Sequence, residues 1–128
     1  MTIQPFVVSD KNITTDGWNE PDGRGVVSWE TLIDADLTPS SGLTCGFAVV
    51  EAGGFLAQHR HSPAEFYHIL EGQSVVTING TAHDVTKGDT VFIPPMAEHG
   101  IRNTSAARMR FLFVFPTSTF AEVEYLFS

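Results

Sequence analysis

His59 and His61 are separated by one residue, Glu65 follows four positions later, and His99 lies further along the chain. Imidazole nitrogen and carboxylate oxygen are the ligands that Zn, Fe, Ni, Mn or Co ions take. Side chains alternate faces in a strand, so His59 and His61 share a face. Ser62-Pro63-Ala64 breaks that strand and Glu65 opens the next. On this second strand Glu65, Tyr67 and Ile69 share one face, and Phe66, His68 and Leu70 take the other. If Glu65 points inward with the histidines, Tyr67 does too and His68 points out. The chemistry expected is one divalent transition metal ion with a phenol beside it. A lone H-x-H pair is more often two ordinary histidines, so the surrounding pattern decides. His83, just past a hairpin, reads as a surface residue, and Cys45 as an inert core thiol. Arg60, between two ligand positions, should point away and pair with a surface acid.

The surrounding pattern is Gly53-x5-His59-x-His61-x3-Glu65-x6-Gly72, then Gly88-x5-Pro94-x4-His99-x3-Asn103. In these two motifs the chain resembles the cupin superfamily. The first fits at every position. The second departs once, with Met96 where the family has a glycine that serves a tight turn. The resemblance implies an all-β, single-domain cupin jelly-roll β-barrel of roughly six to eight strands. Carried over residue by residue, it implies His59, His61, Glu65 and His99 as metal ligands.

A finer resemblance is to small cupin lyases that cleave dimethylsulfoniopropionate into acrylate and dimethyl sulfide. It rests on Leu32-Ile-Asp-Ala-Asp36, Ser40-Ser-Gly-Leu43, His61-Ser-Pro-Ala-Glu65 with Tyr67, and Phe120-Ala-Glu-Val-Glu-Tyr125. It implies a metal that holds the carboxylate of a small substrate, Tyr67 as the base and Tyr125 as its helper. Phe55, Phe66 or Phe92 are candidates to hold the sulfonium by cation–π contact. Cupins host many activities. A non-haem iron dioxygenase with the same four ligands, and a non-catalytic small-ligand-binding cupin, are the competing readings. A sugar-binding barrel would have a wide polar interior, and the mostly apolar strands lean against it.

The elements that must position these residues are strands. Val26–Ile33, Thr44–Glu51, Phe55–His61, Glu65–Leu70, Ser74–Ile78 and Thr90–Ile93 are β-rich runs punctuated by Gly or Pro. Asn79-Gly80 is a two-residue hairpin signal. Arg108–Phe115 is apolar toward both sides and reads as a strand buried on two faces. Short helices are expected only at Phe120–Tyr125 and at Ala35–Leu37. Residues 1–25 read as an N-terminal arm, with a short strand Ile3–Val8 and a long loop Ser9–Gly25 carrying Trp18. Residues 26–128 then form the barrel and its tail.

Composition bounds the rest. The chain has 128 residues, 42% hydrophobic and 17% charged, which is one folded domain and excludes disorder. The net charge of −8 argues against nucleic acid or an anionic membrane as partner. No apolar run approaches the roughly 20 residues of a membrane span. The start, MTIQPFVVSD, has no basic head or apolar core of a leader, and the single cysteine closes no internal disulfide. A cytoplasmic protein acting on a small carboxylate is expected, with a homodimer built on the apolar outer face of Arg108–Phe115.

Overall fold

The structure, a computed structural model, describes residues 2–128. It is built almost wholly of strands: β1 Thr15–Glu20, β2 Gly25–Ile33, β3 Thr44–Val50, β4 Phe55–Arg60, β5 Glu65–Glu71, β6 Gln73–Ile78, β7 Thr81–Thr86, β8 Thr90–Ile93, β9 His99–Arg102, β10 Met109–Phe115 and β11 Leu126–Phe127. They pair antiparallel in the order β7-β6-β9-β4-β2-β3-β10-β5-β8, with β1 on β2 and β11 on β4. The sheet curls on itself as a jelly roll, and its inner face is the core. Val50, Ile69, Val76, Ile93, Met109 and Phe115 are fully buried there. No helix is long and apolar enough to cross a membrane among the described residues.

The N-terminal arm departs from expectation. Residues 2–9 form no strand, and Ile3 and Val7 are exposed. The first strand lies instead inside the stretch expected to be loop. β1 is polar and shows no apolar alternation, so its sequence does not announce a strand. Its order comes from pairing along β2, with Trp18 opposite Val27 and Asp16 opposite Trp29. The connecting turn is closed by the Gly23 N–H on the Glu20 carbonyl, and the Arg24 guanidinium grips the Glu20 carboxylate. The two faces of β10 differ within one chain. Met109, Phe111, Phe113 and Phe115 face inward and are buried, but Arg110, Leu112 and Val114 on the outer side are only half-buried. The Arg110 guanidinium lies 4.0 Å over the Phe47 ring there.

Two turns deliver the site. Gly72 ends β5 at φ 79°, against the Arg108 carbonyl, where a Cβ has no room. Met96 keeps the left-handed turn of the second motif, at φ 63°, although it is not glycine. Its N–H donates to the His61 carbonyl (2.9 Å), which ties the turn before β9 to the end of β4.

The C-terminal tail is tied down at both ends. The Ala35–Leu37 segment is a turn rather than a helix, closed by the Leu37 and Thr38 N–H groups on the Asp34 carbonyl. Buried Asp34 spends one carboxylate oxygen on the Asp36 N–H (2.8 Å) and the other on the Phe120 N–H (2.9 Å). Ser118 adds two acceptors, its carbonyl for the Ala35 N–H and its hydroxyl oxygen for the Gly42 N–H. Phe120–Glu122 is a single 3-10 turn with a reciprocal Thr119–Glu122 capping box. Beyond it, β11 pairs with β4, placing Phe127 opposite His59. The sequence segments around Asp34 and Phe120 are therefore two halves of one clamp, and Tyr125 hangs between its ends.

Two outcomes follow from these contacts. Replacing Met96→Gly relieves a left-handed residue costing roughly 1–2 kcal/mol and returns roughly 0.5–1 kcal/mol of chain entropy. A net gain of roughly 0.5–1 kcal/mol in denaturant unfolding is expected, and a loss would contradict the strain. Asp34→Ala leaves two amides without acceptors and should cost roughly 1–3 kcal/mol. Asp34→Asn keeps one acceptor oxygen and should fall between Ala and wild type. Equal stability of all three proteins would show that the clamp contributes nothing.

Candidate metal centre and cavity

His59 and His99 are brought together by register. β4 and β9 pair with His59 directly opposite His99, and their rings are 4.2 Å apart. His61 lies two residues beyond His59, just past β4, with its ring 5.5 Å from His59 and 4.8 Å from His99. All three are 0–1% exposed. In each ring Nδ1 meets a backbone carbonyl: Ala57 for His59 (2.8 Å), Pro63 for His61 (2.9 Å) and Ala97 for His99 (2.8 Å). In His59 and His99 a proton on Nδ1 satisfies the carbonyl and leaves Nε2 with a bare lone pair, the form in which imidazole binds a metal, whereas Nε2 of His61 faces the Glu65 carboxylate.

The bare atoms converge. Nε2 of His59 and of His99 are buried without any hydrogen-bond partner. Buried polar atoms left unpaired are costly, so two of them aimed at one point indicate a ligand. The three histidines offer ligand atoms within 4.8 Å of one another, and they are positioned to bind a metal ion. Burial and the neighbouring His99 hold His59 at a pKa of about 3, so it stays neutral near pH 7. Burial pulls His61 down as well, but the Glu65 hydrogen bond and charge outweigh it and raise His61 overall.

Glu65 comes from β5, across the Ser62–Ala64 break. Its Oε1 lies 3.1 Å from His61 Nε2 and 3.6 Å from His99 Nε2, and the residue is 5% exposed. The parity expected for β5 holds. Glu65, Tyr67 and Ile69 are buried, whereas Phe66, His68 and Leu70 lie half-buried on the outer face. His68 bonds Thr90 there (2.8 Å), His83 is exposed, Arg60 pairs with Glu98 (3.3 Å), and Cys45 is a buried free thiol raised by burial.

Next to the histidines is a small, mostly aromatic cavity. Glu65, Tyr67 and Tyr125 all line it. The Tyr125 ring stacks on His59 at 4.7 Å, and the Tyr67 ring lies 6.5 Å from His99. Burial pushes both phenols well above their ordinary pKa, and the Glu65 carboxylate pushes them the same way. The remaining walls are Trp18, Trp29, Phe111, Phe113 and Phe120, with Val27, Ala48 and Leu56. The aromatics expected to face a substrate do not line it. Phe92 is 66% exposed, Phe66 is on the outer face, and Phe55 packs under the Arg102 guanidinium at 5.1 Å. Phe66 and Phe92 sit at the outward parity of their strands, whereas Phe55 has the parity of His59 and is turned out by the register shift between Leu56 and His59. Inward parity on β10 was a legible signal for Phe111 and Phe113. Trp29 shares the inward parity of Val27 on β2, whereas no local signal marks Trp18 or Phe120, which come from the arm and the tail.

Comparison with known proteins agrees with this architecture. Residues 46–115, more than half of the chain, match the cupin domain family. The chain is 35% identical over 124 residues to dimethylsulfoniopropionate lyase DddW of Ruegeria pomeroyi, covering 97% of this chain and 80% of that protein. A cupin 2 conserved barrel domain protein from Rhodopseudomonas palustris superposes with a TM-score of 0.73 at 25% identity, over 82% of this chain and 72% of that one. A chain from the crystal structures of DMSP lyases RdDddP and RnDddQII superposes with a TM-score of 0.72 at 18% identity, over 88% of this chain and 60% of that one, a likeness of fold. With the barrel, both motifs and a shared domain over more than half its length, the chain belongs to the cupin family.

Proposed function

We propose that this cupin is a metal-dependent carbon–sulfur lyase that eliminates dimethyl sulfide from dimethylsulfoniopropionate or a similar small carboxylate. The observation that carries the reading is one cavity shared by Glu65, Tyr67 and Tyr125 beside three convergent histidines. The 35% identity to DddW supports the substrate class. His59, His61 and His99, with Glu65 as fourth ligand, hold one divalent ion among Zn, Fe, Ni, Mn and Co. Such an ion would supply positive charge that draws in the substrate carboxylate, acidifies its Cα–H and lowers the Tyr67 phenol against the burial and the Glu65 charge that raise it.

Tyr67 as phenolate takes the Cα proton. The C–H electron pair becomes the Cα=Cβ double bond and the Cβ–S bond breaks. Sulfur leaves with that bond's electrons as neutral dimethyl sulfide, acrylate remains, and Tyr67 returns its proton to water. Tyr125, stacked on His59, closes the site and keeps bulk water from the phenolate. The aromatic walls exclude water around the reacting carbons, which strengthens every charge interaction inside.

Dimethyl sulfide release from protein loaded with each of the five metals tests the reading. Tyr67→Phe keeps the ring and removes the hydroxyl, so metal content should stay and kcat should fall by roughly 10²–10⁴, the worth of a positioned general base. His59→Ala should lower metal content itself. Near-full activity of Tyr67→Phe removes Tyr67 as the base. No dimethyl sulfide with any metal removes the lyase, and an iron dioxygenase or a binding cupin takes its place.

A second copy of the chain is the proposed partner. Phe92 at 66% and Leu43 at 44% exposure adjoin Phe66 and Val114 on the outer face around β5, β8 and β10. Sedimentation at micromolar concentration should show a species heavier than the 14.0 kDa chain. Only the single-chain species would rule the dimer out.

A further inference from the structure

The walls of the cavity carry an unusual charge pattern. Glu65 is its one ionisable acid among the described residues, and no lysine or arginine lines it. Most of the rest is aromatic. Trp18 stands edge-on to Trp29, with centroids 5.1 Å apart and planes at 79°, and edge-on to Tyr125 at 5.8 Å and 87°. Trp29 stacks on Phe120 at 5.9 Å. Rings crossed at right angles present faces in more than one direction, and each face is the negative part of the ring quadrupole. One face of Trp18 is already held by Arg24, whose guanidinium carbon lies 4.3 Å from the ring centroid and which Glu20 holds in turn.

We infer that this aromatic corner is an onium subsite, which selects its ligand by permanent positive charge and full alkylation rather than by sulfur. The subsite would take trialkylammonium carboxylates as well as dialkylsulfonium ones. Three lines of physical chemistry converge on it. Aromatic faces attract a desolvated cation, and the attraction grows where water is excluded. A primary ammonium carries three N–H donors that these walls cannot satisfy, so burying it there is costly. An alkylated onium has no donor to lose. A second carboxylate would meet Glu65 and ring faces with no cation to receive it. A neutral alkyl group would gain burial alone.

The specificity belongs to this chain more than to the shared barrel. Trp18, Trp29, Phe120 and Tyr125 all lie outside residues 46–115, the stretch that matches the cupin domain. The inference rests on the proposed reading for the carboxylate end of the ligand, which the histidine centre receives.

The chain's two tryptophans both line this cavity, so intrinsic fluorescence reports its occupancy directly. The test titrates metal-loaded protein with 3-(trimethylammonio)propionate and with 4,4-dimethylpentanoate, which differ by a cationic nitrogen in place of carbon. β-Alanine is the unalkylated control. The cation should bind at least tenfold more tightly than its carbon isostere, and β-alanine more weakly than the trimethylated cation. Trp18→Leu, which keeps Trp29 as reporter, and Phe120→Leu, which keeps both, should each shrink the charge preference at least threefold. Far-UV circular dichroism and metal content identify a variant that is misfolded, and the other variant then decides. Equal affinity for the isosteres, tighter binding of β-alanine, no binding of any probe at millimolar concentration, or an undiminished preference in the folded variants would overturn the subsite. The two readings fail separately. Charge preference without dimethyl sulfide release leaves the subsite and removes the lyase, and release without charge preference does the reverse.

Discussion

Three imidazoles lie fully buried, and two of their Nε2 atoms have no partner within the protein. That is an energetic liability, because each buried lone pair gave up its water on folding. It persists only if surrounding structure leaves the rings no alternative. The backbone provides that constraint. Each ring is pinned through Nδ1 by a carbonyl two residues away, Ala57, Pro63 or Ala97, so the backbone beside each histidine fixes how its ring is turned. The rest of the molecule can be understood as what keeps these three atoms aimed at one point.

The sheet register is the first consequence. His59 faces His99 only because β4 and β9 pair as they do, and a slip of one residue would send one of them to the other face. The turn before β9 is the second. Met96 accepts a left-handed backbone at φ 63° to place its N–H on the His61 carbonyl, which links the two motifs at the level of the main chain. Strain at a functional site is tolerated where tertiary contacts over-determine the conformation. Here the contact is the tie between the chain segments that supply His61 and His99.

The cavity answers a different demand. A barrel mouth lined by Glu65 and two phenols would flood without cover, and the cover is brought from both ends of the chain. The β1–β2 hairpin contributes Trp18 and Trp29, and the tail contributes Phe120 and Tyr125. Asp34 joins these halves through a single buried carboxylate. The tail is therefore not an appendage, since β11 completes the pairing of β4 alongside the histidine it covers.

The shared faces of the site residues and most strands were legible in the sequence because their signals are local. Alternation puts His59 with His61 and Glu65 with Tyr67, Asn79-Gly80 takes the positive φ of a hairpin, and Gly or Pro marks the strand ends. Local signals fail where order is borrowed. Thr15–Glu20 is a strand only because β2 offers it an edge, while the more apolar Ile3–Val8 has no such edge and stays irregular. The sequence of β10 does not distinguish its two faces, because hydrophobicity says how apolar a residue is and not which side of the sheet has something to cover it. The walls of the cavity depend on tertiary structure most of all. Trp18, Trp29, Phe113 and Phe120 are far apart in sequence, and only the closure of the curled sheet by hairpin and tail brings their rings together. Spacing within a strand determines which side chains share a face, whereas pairing between distant segments decides what that face meets.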